Sequence, residues 1–278
     1  MNIGIVGMGL IGGSLALELR DLGHTVWGTS RSQQTCSIAL ERHIVDCAST
    51  QLESLYEVDL VFICTPIPYV LNTLRTLAGI LPAQAIATDV ASVKAAIAQP
   101  ATDLWPNFVA AHPMAGTAEQ GIDAAQHGLF TGCSYVITPV ETTRAQAIAT
   151  LEAILSPLQV NLVRASPKTH DAAVAWISHL PAMVSAALIT AVASAEDSER
   201  TLAQQLASSG FRDTSRVGGG NPELGTAMAE FNRDALLKSL YAYRTALDGT
   251  ITAIEDQQWL QLFDTLKPNG QLRSPFVD

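Results

Sequence analysis

The sequence predicts two domains of different class: a mainly parallel α/β domain over residues 1–165 and an all-helical domain over 166–278. Short apolar runs rich in Val and Ile alternate with helical segments up to residue 165, the pattern of strands joined by right-handed crossovers. A glycine-rich turn directly follows the first of those runs. After "SPKTHD" no further segment has strand character, and helical runs occupy 171–195, 198–209, 222–249 and 250–266.

The elements follow in order. "MNIGIV" is a short strand, and "GLIGGSLALELRDLG" passes from glycine into a helical pattern. "HTVWGTS" is the second strand. "VDLVFICTP" is a continuous apolar run, the signature of a strand buried on both faces. A helix over 70–79 leads to "AIATDV", a helix over 94–99 leads to "FVAAHP", and "SYVITP" and "VNLVRA" complete the strands. In the second half "SSGFRDTSRVGGGNPELG" is a glycine-rich break between helices, and residues from Pro268 onward read as a loosely ordered tail.

Hydrophobic residues make up 48% of the 278 and charged residues 15%, enough apolar surface for a sizeable core. The formal net charge of −10 gives no electrostatic basis for nucleic-acid binding. Cys36, Cys47, Cys64 and Cys133 form no C-x-x-C pair and no metal spacing, so no metal is expected and a cytoplasmic location is. "AAVAWISHLPAMVSAALITAVA" over 172–193 has the length of a membrane span, but Ser178, His179 and Pro181 interrupt it. A helix buried on all sides, or one at a subunit interface, is the expectation, with no membrane.

Gly7, Gly9 and Gly12 form G-x-G-x-x-G between the first strand and the first helix, where a Rossmann-like dinucleotide-binding domain requires it. Gly7 permits the tight turn, Gly9 lets a pyrophosphate approach the backbone, and Gly12 lets helix pack on strand. Leu10 and Ile11 belong to the same turn, and the helix N-terminus favours negative charge. An NAD site usually carries Asp or Glu about 20 residues on, gripping the ribose 2′-hydroxyl. Here that position is Ser30, followed by Arg31. Without a carboxylate, and with Arg31, Ser30, Ser32 and Thr35 as donors, the segment suits a 2′-phosphate. NADP is therefore the expected cofactor.

Ligands of open α/β sheets sit beyond the carboxyl ends of the strands. Cys64, Thr65 and Pro66 of "ICTP", Asp89 and Ser92 of "TDVASVK" and His112 of "AAHPMAGT" are expected there, the first three and Asp89 as cofactor contacts. A neutral imidazole with ordinary pKa about 6.5 can take a hydroxyl proton, so His112 is the candidate general base, with activity falling below about pH 6.5. Ser92 is its hydrogen-bonding partner, or the N-cap of a helix beginning in "ASVKAAIA"; the two roles are compatible. In the helical half, His179 lies in an apolar run, and Arg212 and Arg216 are four residues apart. Arg212 and Arg216 read equally as anion binders or as salt-bridge partners of Asp213 or Glu223.

"GLIGGS", "CTP", "TDVASVK", "HPMAG", "SHLP" and "GFRDTSR" occur in the order found in prephenate/arogenate dehydrogenases, and the chain resembles that family from Ile3 to about Asp248. It is most similar to the cyanobacterial, NADP-dependent arogenate type. The resemblance implies oxidative decarboxylation of arogenate to tyrosine, with prephenate as the alternative substrate. It implies that His112 hydrogen-bonds the substrate hydroxyl, that Ser92 assists it, and that Arg216 binds a carboxylate. It further implies substrate contacts from His179 and Thr117, and homodimers formed through the helical domain. Where some prephenate-using relatives carry a second histidine, this chain has Ala182. The competing readings are a β-hydroxyacid-dehydrogenase-type oxidoreductase, which needs a helical-domain lysine such as Lys168 or Lys238, and a non-catalytic NADP sensor.

Overall fold

The computed structural model describes residues 1–117 and 119–277. By internal contacts it divides into two compact units, Met1–Arg233 and Asp234–Asp278.

The first unit opens with β1 (Asn2–Val6), α1 (Leu10–Asp21), β2 (Thr25–Thr29), α2 (Gln33–Glu41), β3 (Cys47–Ser49) and β4 (Leu60–Ile63). There follow α3 (Val70–Leu77), β5 (Ile86–Asp89), α4 (Ala98–Leu104) and β6 (Phe108–Val109). The six strands form one parallel sheet in the order β3-β2-β1-β4-β5-β6. Strand order reverses between β1 and β4, which makes the carboxyl ends of those strands the ligand crevice of a doubly wound sheet. Every residue of β4 and β5 is buried, as the unbroken apolar run of β4 requires, and in β5 this includes Thr88 and Asp89.

"FVAAHP" does not stay in this sheet. It splits into β6 and β7 (Ala111–Pro113), and β7 joins a second sheet, β7-β8-β9, with β8 (Ser134–Ile137) and β9 (Asn161–Arg164). The β7–β8 pair is antiparallel. The switch occurs at Ala110, whose carbonyl accepts from Thr138 N at 2.8 Å instead of continuing the first ladder. Between β8 and β9 runs α5 (Ala145–Leu155).

Helices follow: α6 (Pro167–Val174), a π-turn at Ala175–His179, α7 (Leu180–Ala193), α8 (Asp197–Leu206), α9 (Ser209–Ser215) and α10 (Pro222–Phe231). Ser166 caps α6, its Oγ accepting from Thr169 N at 3.1 Å, and Pro167 takes the first turn. Pro181 cannot donate to the helix ladder, and the wider turn at Ala175–His179 precedes it.

Several sequence expectations shift. The helix expected over 94–99 begins at Ala98, because the Lys94 and Ala95 N–H groups donate to Asp171 instead. The 222–249 run breaks at Asn232, a buried side chain with its own partners. The segment 172–193 is not buried on all sides: Trp176 and Ile177 are exposed, and of α7 only Ser185 is buried. By length and composition Pro167–Ala193 meets the size of a membrane span, yet only 22% of that window is buried in this chain.

The second unit holds nearly all of α11 (Arg233–Glu255), then α12 (Trp259–Leu266) and α13 (Asn269–Arg273). The chain beyond Pro268 is thus helical, ending in a 3-10 turn at Ser274–Phe276, rather than a loose tail.

Candidate active site

The glycine turn is built for a close approach. Gly7 has φ +97°, and a Cβ there would lie 2.7 Å from Cys64 O. A Cβ on Gly12 would lie 2.1 Å from Gly7 O. Gly9 differs: nothing stands within 4 Å of where its Cβ would be. Protein packing therefore demands glycine at 7 and 12, while at 9 it leaves room outside the backbone. No side chain caps α1, and its first turn holds no acidic residue. These features fit a pyrophosphate held on the N-terminus of a helix.

Thr65 Oγ1 is buried at the end of β4 with no protein partner among the described residues. Pro66 is exposed beside it and leads into the turn Ile67–Tyr69. Burial pushes the Cys64 thiol up, so it stays protonated. Asp89, expected as a cofactor contact, has its carboxylate engaged by protein groups. Its carboxylate, fully buried, accepts from Ala91 N at 3.1 Å and Ala111 N at 3.2 Å and is ion-paired to Lys94. Lys94 Nζ also donates to Ala111 O at 2.7 Å. The pair thus ties the end of β5 to the start of β7.

At the end of β2, Ser30 Oγ accepts from Ser32 N at 3.2 Å, and Ser32 Oγ caps α2 through Thr35 N, also at 3.2 Å. The Arg31 guanidinium lies 5.9 Å above the Tyr69 ring and has no carboxylate partner among the described residues.

His112 lies in β7, paired with Val136 of β8. It is buried, and its Nδ1 is 2.9 Å from Nε2 of His170. His170 Nδ1 is in turn 2.8 Å from Asp171 Oδ1. The Asp171 carboxylate also accepts from Lys94 N and Ala95 N, both at 2.8 Å. Burial first, then the neighbouring Lys94, with His170 and His179 close by, holds the His112 pKa well below its ordinary value. His112 is thus uncharged near neutral pH.

His179 is fully buried. Its Nδ1 is 3.2 Å from Asn232 Nδ2, and its Nε2 has no protein partner among the described residues. Burial lowers its pKa to about 4, against the opposing pull of Asp171. Ser92 Oγ is likewise buried and unpartnered, and it caps no helix. The helix-cap alternative for Ser92 therefore falls away. Of the five buried side-chain polar atoms without partners among the described residues, Thr65 Oγ1, Ser92 Oγ and His179 Nε2 belong to residues expected at the site, where bound groups would complete the hydrogen bonding.

A cavity of about 830 Å³ opens in front of the glycine turn, lined by Gly9, Leu10, Ile11 and Gly12, by Cys64 and Val90, and by Ala115, Gly116 and Thr117. Its far wall is Ala182, Met183 and Ala186 of α7 with Arg216 and the turn after it. Ala182 contributes only a methyl group there. Arg212 is not in this wall. It is exposed and ion-paired to Asp213 at 3.2 Å, the salt-bridge reading. Arg216 is held in place through its neighbours: Ser185 Oγ donates to Thr214 O at 2.8 Å and accepts from Gly218 N at 2.9 Å. A Cβ on Gly218 would lie 2.3 Å from Ala186 N, so this close seating on α7 requires glycine.

Lys94, His170, Asp171, Asn232 and Ser185 were not singled out from sequence. The adjacent His–Asp of "SPKTHD", just inside a capped helix start, was the available signal. Lys168 and Lys238 are exposed.

Residues 15–164 match the nucleotide-binding domain of prephenate dehydrogenase, and residues 166–268 match its dimerization domain. The chain belongs to the prephenate dehydrogenase family. As a member, it is an oxidoreductase with a nicotinamide-nucleotide site. The family member is 54% identical to Synechocystis arogenate dehydrogenase, whose crystal structure it matches over 100% of both chains with a TM-score of 0.84. It is 30% identical to prephenate dehydrogenase of Bacillus subtilis, covering 95% of this chain and 72% of that one. It is also 30% identical to cyclohexadienyl dehydrogenase of Zymomonas mobilis, covering 98% and 94%.

Proposed function

We propose that the protein is a cytoplasmic homodimer that converts L-arogenate to L-tyrosine and carbon dioxide, with NADP as hydride acceptor. Residues 1–165 hold the nucleotide, and 166–278 supply the substrate wall and the dimer contact. The observation that carries the chemistry is the buried His112, linked to His170 at 2.9 Å and electrostatically to His179, whose Nε2, like Ser92 Oγ, is buried without a protein partner among the described residues. A nicotinamide bound at the Gly7–Gly12 turn would supply the hydride acceptor for the ring carbon that bears the hydroxyl.

His112 takes the hydroxyl proton as that carbon becomes a carbonyl. Ser92 and His179 hydrogen-bond the same end of the substrate, and Arg216 pairs with a substrate carboxylate across the cavity. Loss of carbon dioxide sends its electron pair through the ring to the oxygen, which recovers the proton from His112 as the ring becomes aromatic. Identity with an arogenate dehydrogenase at 54% over the whole chain favours arogenate. The absence of a carboxylate at Ser30, with Arg31 beside it, favours a 2′-phosphate and so NADP. The exposed Trp176 and Ile177, within the region matched by a dimerization domain, favour helix-to-helix dimers.

His112→Asn tests the reading. NADP affinity should stay nearly intact while turnover falls by roughly two to four decades, the span of general acid–base loss. Unchanged turnover would remove His112 from the chemistry.

A further inference from the structure

The hydrogen bonds around Asp171 determine where two imidazole protons lie. Its carboxylate takes Lys94 N, Ala95 N and His170 Nδ1, each at 2.8 Å. A carboxylate only accepts, so a neutral His170 ring carries its hydrogen on Nδ1 and presents a bare Nε2. The hydrogen in the 2.9 Å contact between His170 Nε2 and His112 Nδ1 therefore belongs to His112. His112 Nε2 is left as a lone pair. The other arm starts at the Asp171 carbonyl, which accepts from Asn232 Nδ2 at 2.8 Å. The same amide nitrogen lies 3.2 Å from His179 Nδ1. An amide NH₂ only donates, so His179 Nδ1 is bare and its hydrogen sits on Nε2, the buried atom with no protein partner.

We propose that Asp171, acting through His170 on one side and Asn232 on the other, locks His112 and His179 in opposite tautomers, so that the site presents one proton acceptor and one proton donor to the substrate. The proposal rests on the reading of His112 as the base. His170, Asp171 and Asn232 are positioning residues. They make the base usable at Nε2 without relying on a proton being lost from that atom first. They also leave the positive charge that His112 gains linked through His170 to a carboxylate, beside Lys94, which Asp89 already pairs.

The test is the histidine tautomer pattern of the full-length, NADP-bound protein, read by long-range proton–nitrogen NMR with labelled histidine. Assignments come from His112→Asn and His179→Asn. The expected result is His112 protonated at Nδ1 and His179 at Nε2. The same tautomer at both rings, or the reverse assignment, overturns the proposal without any appeal to activity. Kinetics supply the second readout. His170→Leu removes the acceptor for His112 and should lower kcat about a hundredfold, with KM within about twofold. His170→Gln restores an acceptor oxygen and should recover most of kcat. Equal losses in the two variants, or no loss in either, would overturn it. If instead His112→Asn keeps full turnover, the base assignment fails while the tautomer result still stands on its own spectrum.

Discussion

His179 makes the folded state sensitive to acid, by an amount that can be worked out. The ring is fully buried and its pKa is about 4, against about 6.5 for a histidine in an unfolded chain. A group whose pKa is depressed on folding favours the native state above its unfolded value and loses that contribution as pH falls toward its folded value. The window is therefore about pH 6.5 down to 4. At about pH 5 the unfolded ring is almost wholly charged and the native ring only about a tenth charged, a difference of about 2 kcal/mol. His112, shifted in the same direction, adds to the slope. The assay is urea unfolding of wild type and His179→Gln at pH 7.5 and 5, at one fixed protein concentration because an oligomer's stability depends on it. The wild type should lose about 2 kcal/mol more than the variant between the two conditions. Parallel losses would refute a buried, neutral His179.

Other outcomes follow from the same geometry. Because His112 titrates well below 6.5, kcat/KM should remain on its plateau at pH 6 and fall only at lower pH; a half-maximum at pH 6.5 would contradict its burial. Gly9→Ala should fold with unchanged Tm yet bind NADP at least tenfold more weakly, whereas Gly12→Ala should lose several kcal/mol of stability from its collision with Gly7 O; titration calorimetry and thermal melts separate the two. Arg216→Ala should raise the KM for substrate with little change in Tm, while Arg212→Ala, removing only an exposed ion pair, should change neither. Ser30→Asp should weaken NADP binding by placing a carboxylate against the 2′-phosphate; equal affinity would refute that site.

The sequence made the nucleotide half legible because backbone geometry there depends on residue type. Glycine at 7 and 12 is required by contacts of 2.7 and 2.1 Å, and the short β-branched apolar run of β4 suits a doubly buried strand. Fixed motifs likewise pointed to His112, Ser92, His179 and Arg216. What could not be read was which polar groups consume one another. Asp89 stands at a strand end like a ligand contact, yet three protein partners use its carboxylate. Arg212 and Arg216 are alike by spacing, yet only Arg216, in the turn that Gly218 seats closely on Ala186, lines the cavity. "FVAAHP" has a strand pattern throughout; its transfer between sheets at Ala110 depends on Thr138, 28 residues away. His170 and Asp171 meet residues 58 and 77 positions distant, a separation that no local pattern encodes.

The central claim is tested most directly by a four-way rate assay: L-arogenate or prephenate, each with NADP or NAD, following the reduced nucleotide. Turnover concentrated in the arm with L-arogenate and NADP is the predicted result. Faster turnover with NAD would contradict the reading of Ser30 and Arg31, and faster turnover with prephenate would contradict the assigned substrate. No turnover in any arm, from folded protein that binds NADP, would contradict the catalytic assignment itself.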